Sequence, residues 1–277
     1  SVSDVMETDI RGDICETEFV SQKIKELNPE IVFHLAAESL VIPCYQNPIQ
    51  AFKTNIIGSA NILQALLECS SVRAIVNITT DKCYKNKEWD WPYRENDELG
   101  GKDPYSASKS CSEIVSQCYW SSFFSQKNKV GLATARAGNI IGGGDFSPFR
   151  LVPDIFRCAE SSTTLEIRNP EATRPWQHVL DPLHGYMLLA KNLFHHPKKF
   201  SEAWNFGPAT NDIQSVKNVL NQFKKSFPKI SVNHVNEVYV EQKLLLLDST
   251  KSCSRLGWKP QMKFEEAVEQ TAEWYKV

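Results

Sequence analysis

Glycine is scarce in this chain and poorly placed for one common task. Of 12 glycines in 277 residues, only Gly12 precedes Gly58. No strand-like run is followed by a G-x-x-G-x-x-G or G-x-G-x-x-G turn, the device that brings a helix N-terminus onto a dinucleotide pyrophosphate. The triple glycine Gly142-Gly143-Gly144 runs into Asp145-Phe146-Ser147-Pro148, a loop and not a helix start. Long apolar runs are missing too, since none approaches the roughly 20 residues of a membrane span. Charge of one sign is not in excess. The net charge of −2, from 31 basic and 33 acidic residues, gives no basic field for nucleic acid. The lysine pairs Lys198-Lys199 and Lys224-Lys225 read as solvated helix ends. Eight cysteines include no C-x-x-C pair, and six histidines show no H-E-x-x-H or Cys/His zinc spacing. The expectation is reduced thiols in a cytoplasmic protein and no metal. The polar, acidic start, Ser1–Asp13, has no signal-peptide architecture.

What is present is a rhythm of strand-like and helical runs, the pattern of a parallel sheet covered on both faces. Ile31–Ala36 reads as a buried strand. Pro48 opens a helical pattern reaching Glu68, with Phe52, Ile56, Ile57, Ala60, Leu63 and Leu67 on one face. Ala74–Thr80 is the next strand, Tyr105–Phe124 the next helix and Val130–Ala137 a further strand. Beyond residue 140 the rhythm loosens. Leu151–Ala159, Pro182–Leu193, Ile213–Phe227, Thr250–Leu256 and Phe264–Trp274 read as helices. Trp204–Phe206 reads as a strand, with others near Ile230–Val235 and Leu244–Leu247. The fold class is α/β, a doubly wound parallel sheet with a smaller, mostly helical C-terminal lobe. The sheet domain takes residues 1–140 plus 178–207, and the lobe 141–177 plus 208–277. Such a sheet normally begins with the glycine-rich turn, so the chain as given reads as lacking its first strand and that turn.

Tyr105-Ser106-Ala107-Ser108-Lys109 is the first chemical signal. Positions i and i+4 of a helix share a face, so the phenol and the ammonium can meet one ligand. A nearby cation favours phenolate, which predicts a lowered tyrosine pKa and a usable base. Spacing alone is weak, because Tyr239…Lys243 repeats it in an extended-looking stretch, where the two side chains stand far apart. Context favours the first pair. About 25 residues upstream a strand ends in Thr80-Asp81-Lys82, and ligands of open α/β sheets bind beyond the carboxyl ends of strands. A hydroxyl, a carboxyl and an amine there supply a hydrogen bond, a general acid and a general base. Lys82 can act as a base only where burial or cationic neighbours lower its pKa.

The fragments His34-Leu-Ala-Ala-Glu38, Thr54-Asn-Ile-Ile-Gly58, Tyr105-x-x-x-Lys109 and Arg136-Ala-Gly-Asn139 resemble the extended short-chain dehydrogenase/reductases. Further segments are similar to the CDP-glucose 4,6-dehydratases among them: Thr80-Asp-Lys-Cys-Tyr84, Tyr93-Arg-Glu-Asn-Asp97, Asn139-Ile-Ile-Gly-Gly-Gly-Asp145 and Arg168-Asn-Pro-x-Ala-Thr-Arg-Pro-Trp-Gln-His-Val179. The resemblance implies a Rossmann NAD-binding domain, tightly held NAD, and a redox-neutral dehydration of CDP-glucose to its 4-keto-6-deoxy product. It casts Thr80, Asp81, Lys82, Tyr105 and Lys109 as catalytic. Tyr105 takes the 4-hydroxyl proton, Thr80 bonds the 4-oxygen, Asp81 protonates the departing 6-hydroxyl and Lys82 removes the C5 proton. It assigns Asp13, Ile14, Leu35, Ala36, Ala37, Thr54, Tyr105 and Lys109 to the cofactor. Ser39, Asn139, Arg150, Leu151, Arg174, His178 and Asn205 fall to the nucleotide sugar. Guanidinium forks at Arg150 and Arg174 suit a pyrophosphate. Trp89, Trp91 and Trp204 read as packing residues. Pairing through the two long helices implies a homodimer.

One segment departs from the pattern. Ser39-Leu40-Val41-Ile42 stands where CDP-glucose dehydratases usually have Pro-Leu-Val-Arg, so a dTDP- or other nucleotide-sugar dehydratase is the alternative. Asp81-Lys82 argues against a 4-epimerase, which needs no such acid/base pair. A non-catalytic NAD-binding scaffold is the remaining reading, since a fold does not dictate a function.

Overall fold

The computed structural model describes residues 5–209, 212–235 and 244–276. In chain order, α1 (Thr17–Leu27) leads to β1 (Ile31–His34), then α2 (Val41–Gln46) and α3 (Pro48–Phe52). A π-helical segment, Lys53–Gly58, joins α3 to α4 (Ser59–Glu68), and β2 (Ala74–Ile78), α5 (Pro104–Ser122) and β3 (Gly131–Ala137) follow. Next come β4 (Ile140–Ile141), α6 (Leu151–Ser161), β5 (Thr164–Ile167), β6 (Thr173–Arg174), β7 (Gln177–His178), α7 (Leu180–His195), α8 (Pro197–Phe200) and β8 (Ala203–Phe206). The chain finishes with β9 (Gln214–Ser215), α9 (Val216–Ser226), β10 (Ser231–His234) and α10 (Phe264–Lys276).

β1, β2, β3 and β8 form one parallel sheet in that order. Successive residues of a strand point to opposite faces, so each strand feeds two cores. Ile75 and Leu132 pack with Leu63 and Leu66 of α4 and with Phe124 on one face. Ala74, Val76, Ala133 and Ala135 pack with Leu189 and Leu193 of α7 and with Trp204 and Trp258 on the other. A third cluster joins Ile155 and Phe156 of α6, Leu165 and Ile167 of β5, Phe223 of α9 and Val268 of α10. Small strand pairs support this second body. β5 pairs in parallel with β10, β4 with β7, and β6 antiparallel with β9.

The structure departs from the sequence reading in several places. β1 is less buried than its composition suggests, with Ile31 44% and Phe33 39% exposed, because among the described residues it is an edge strand paired with β2 alone. The Pro48–Glu68 helix is interrupted by the π turn, which rotates the expected apolar stripe. Ile57 is exposed, while Asn55, Gly58 and Ser59 face inward. β5 lies where no strand was expected, and Leu244 and Leu247 make isolated bridges rather than a strand. Residues 252–258 pack on the sheet through Leu256 and Trp258 and not on the second body. Trp204 is fully buried and Trp89 stacks on Tyr93, but Trp91 is exposed and not a packing residue. All eight cysteines are free thiols. Tyr239 and Lys243 lie outside the described residues.

Candidate active site

β2 ends in a buried polar step. After Ile78 the chain places Thr79, Thr80 and Asp81 inside, and Thr80 caps a short 3-10 turn over Asp81–Cys83 by accepting from the Lys82 N–H at 3.3 Å. The turn aims Asp81 inward and leaves Lys82 half-buried. Asp81 is 2% exposed. Its Oδ1 accepts from Thr80 Oγ1 at 3.1 Å, and its Oδ2 has no partner among the described residues. Burial raises its pKa, and Lys82, Thr80 and Arg174 only partly oppose that.

α5 delivers the second half. Asp103 caps it, with Oδ1 accepting from the Ser106 N–H at 2.9 Å, and Pro104 occupies the first turn. Gly101 lets the incoming loop lie against that turn, since a Cβ there would stand 2.3 Å from the Ala107 nitrogen. Tyr105 and Lys109 therefore point the same way. Lys109 is buried, donates to the Ile78 carbonyl at 2.8 Å, and is pulled down to about 8 by desolvation, against the pull of Glu113. Tyr105 behaves contrary to the sequence expectation. Burial pushes it up to about 12, and Thr80 and Arg150, which act the other way, do not overcome the loss of water.

Thr80, Asp81 and Tyr105 share a cavity of about 390 Å³ at the carboxyl ends of β2 and β3, reached also by the second body, whereas Lys109 lies outside its lining. Its wall includes Thr80, Asp81, Lys82 and Tyr105, together with Ser39, Asn139, Arg150, Leu151 and Arg174 from the residues read as sugar-binding. Arg150 bridges Asp145 and Ser39, each at 3.0 Å. Arg174 is 5% exposed and close enough to Asp81 to bias its ionisation. Two residues do not belong to this wall. Asn205 is fully buried, accepts from the Tyr84 hydroxyl at 2.7 Å and donates to the Tyr93 and Asp248 carbonyls, so its amide is spent inside the fold. His178 is 8% exposed on β7, and its Nδ1 accepts from the Leu180 N–H. The lining residues not singled out from the sequence as site residues include Arg168, Trp176 and Tyr186. The first two lie in the Arg168–Val179 motif, but Tyr186 looks like one more apolar position of α7.

A shallower concavity of about 370 Å³ is bounded by Asp13, Ile14, Ala36, Ala37 and Thr54, with Gly12, Glu38 and Gln50. Leu35 is exposed and stands outside it. Asn55 shapes this rim by accepting from the Glu38 N–H at 2.8 Å and donating to the Glu38 carbonyl at 2.9 Å. Asp13 Oδ1 accepts from the Cys15 N–H at 2.8 Å, which holds its carboxyl below the usual range. Among the described residues no histidine, cysteine and carboxylate group gathers as a metal site.

Residues 5–271 match the family model described as GDP-mannose 4,6 dehydratase. The chain belongs to the GDP-mannose 4,6-dehydratase family. Within that family it is 43% identical to the CDP-glucose 4,6-dehydratase of Salmonella typhimurium, over 100% of this chain and 78% of that protein. Among solved structures, a dTDP-glucose 4,6-dehydratase from Streptomyces venezuelae with NAD bound superposes with a TM-score of 0.86 at 22% identity, covering 99% of this chain and 82% of that one. A UDP-glucose 4-epimerase from Thermotoga maritima, with UDP-glucose, gives 0.84 at 21%, covering 96% and 84%. These two are likenesses of fold, and the Rossmann fold of the GDP-mannose 4,6-dehydratase family is the one expected from the motifs.

Proposed function

We propose that this chain converts CDP-D-glucose to CDP-4-dehydro-6-deoxy-D-glucose and water, with NAD as a recycled cofactor. The observation that carries this reading is Asp81, a buried carboxyl held toward its protonated form beside Lys82, Thr80 and Tyr105 on one cavity wall. A buried acid next to an amine suits the loss of water, which needs a proton given at one carbon and taken from the next. Identity of 43% to a CDP-glucose 4,6-dehydratase supports the choice of substrate.

The concavity at Asp13, Ile14, Ala36, Ala37 and Thr54 fits the adenosine part of NAD, because small side chains at the end of β1 leave room beside a carboxylate. This chain contains no glycine-rich turn for the pyrophosphate. Lys109 and Tyr105 would hold the other end. Bound NAD supplies the hydride acceptor at C4 and the hydride donor at C6. Tyr105 takes the proton of the 4-hydroxyl, with the Thr80 hydroxyl turning from Asp81 to donate to the same oxygen. Lys82 then removes the C5 proton, made acidic by the 4-keto group, while Asp81 gives its proton to the departing 6-oxygen. Arg150 and Arg174 hold the pyrophosphate of the sugar nucleotide. Ser39, Asn139 and Leu151 line the same chamber.

The test incubates NAD-loaded protein with CDP-, dTDP-, UDP- and GDP-glucose and measures 4-keto-6-deoxy product. CDP-glucose is turned over fastest, and Lys82→Ala loses exchange of solvent hydrogen into C5. A preference for dTDP-glucose would keep the chemistry and trace the error to Glu38–Ile42. Two further features belong to this reading. The paired helices leave Ile49, Ile57, Ile114 and Phe123 exposed, which supports a homodimer formed through them. Eight free thiols suit a cytoplasmic protein, and no described helix is long and apolar enough to cross a membrane.

A further inference from the structure

Two buried polar atoms stand unpaired among the described residues on the wall of the larger cavity, Asp81 Oδ2 and the Tyr186 hydroxyl. Both side chains are almost wholly buried, at 2% and 4% exposure. Buried polar groups are nearly always satisfied, so two orphans in one chamber call for an external partner. α7 fixes Tyr186 from behind, its ring meeting Phe206 edge-on with centroids 5.5 Å apart. Burial keeps this phenol neutral far above physiological pH. Unlike Tyr105, which has the Thr80 hydroxyl and the Arg150 charge acting to lower it, Tyr186 has no neighbour opposing its burial among the described residues, so it serves as a fixed donor and not as a base.

We propose that Tyr186 is a further catalytic residue, whose hydroxyl donates to the 6-oxygen of the sugar while Asp81 Oδ2 delivers a proton to that same atom. The inference rests on the dehydratase reading above. In the step concerned, Lys82 takes the C5 proton and the C5–H electron pair becomes the C5–C6 double bond. The C6–O pair leaves with the oxygen, and the Asp81 proton completes a water molecule. The step is redox-neutral. Charge builds on the oxygen as the bond breaks, and a donor already aimed there strengthens in the transition state.

Tyr186→Phe keeps the ring and its contact with Phe206. It also removes an unpaired buried hydroxyl, so the ligand-free variant melts at or above the wild-type temperature. Turnover of the 6-hydroxy sugar nucleotide falls roughly 10- to 100-fold with little change in KM. Reduced cofactor still forms at the wild-type rate in a single turnover, because oxidation at C4 does not involve this hydroxyl. The 6-deoxy-6-fluoro analogue, whose leaving group needs less proton assistance, loses much less. Unchanged turnover, equal losses on both substrates or slowed oxidation at C4 would each overturn the assignment. A melting temperature well below wild type would also overturn it, since it would mean the hydroxyl was already paired within the fold. If wild-type protein made no 4-keto-6-deoxy product from any sugar nucleotide, the dehydratase reading would fall first and take this role with it.

Discussion

At the scale of single residues, burial governs which groups carry charge. His34, at the end of β1, is 6% exposed, and its Nε2 meets the Ser59 hydroxyl at 3.0 Å. Desolvation, helped by the Lys109 charge, lowers its pKa from 6.5 to about 4. The native state then binds fewer protons than the unfolded chain between those values. Stability from this residue is complete above pH 6.5 and is lost as pH falls through 4, an effect of about 3 kcal/mol. Urea unfolding of wild type and His34→Asn at pH 7 and pH 4 tests this, because other titrating groups are common to both. The wild-type advantage shrinks by about that amount at pH 4, and a constant difference would mean that His34 charges freely in the fold. Residues of this kind divide what could be read in advance. The positions of Tyr105, Lys109 and Asp81 were legible, because helix spacing and a strand end fix where the three side chains lie. The upward shift of Tyr105 and the unpaired hydroxyl of Tyr186 were not, since both depend on which neighbours exclude water. Asn205 misled for the same reason, as its amide is spent on backbone carbonyls that no motif reveals.

At the scale of elements, α5 shows how much depends on one helix start. Its cap at Asp103 lies two residues before Tyr105, so fraying there displaces the phenol. Asp103→Ala costs about 1 kcal/mol, a fall of roughly 2–4 °C in melting temperature for a chain of this size. Asp103→Ser, which keeps a capping oxygen, restores most of it. Turnover follows the same order, Ala below Ser below wild type. Equal melting temperatures for the two variants would show that the cap contributes nothing. Strand and helix order was legible here because apolar periodicity survives in the sheet and its covering helices. The π turn at Lys53–Gly58 was not, because a one-residue change of helical phase leaves no mark on composition. Its outcome is visible only in the partners. Asn55 donates to Ser108 at 2.9 Å, and Ser59 meets Ser112 at 3.1 Å, a polar seam between helices where an apolar stripe was expected.

At the scale of the whole molecule, an ion pair at the centre ties α5 to the sheet and the tail. Glu113 of α5 accepts from Arg136 of β3 through both carboxylate oxygens, at 2.9 and 2.7 Å, and from the Thr79 and Thr134 hydroxyls. Burial works to raise the Glu113 carboxyl, but Arg136 and the hydroxyls hold it below the usual range. Arg136 also donates to the Tyr84 hydroxyl at 2.8 Å, Tyr84 donates to Asn205, and the Asn205 carbonyl accepts from Ser252 at 2.5 Å. A chain of bonds thus runs from α5, through β3 and β8, to the C-terminal segment. Desolvating two charges offsets most of their attraction, so the pair adds little against a well-packed apolar alternative. Breaking one side is different, because the other charge is stranded in a place it cannot leave. Arg136→Leu therefore costs about 3 to 5 kcal/mol, whereas Arg136→Leu combined with Glu113→Leu costs less than the single change. A double-mutant cycle by urea unfolding measures this coupling directly. Losses that simply add would mean that each residue holds its own part of the fold and that no linked core joins α5 to the tail.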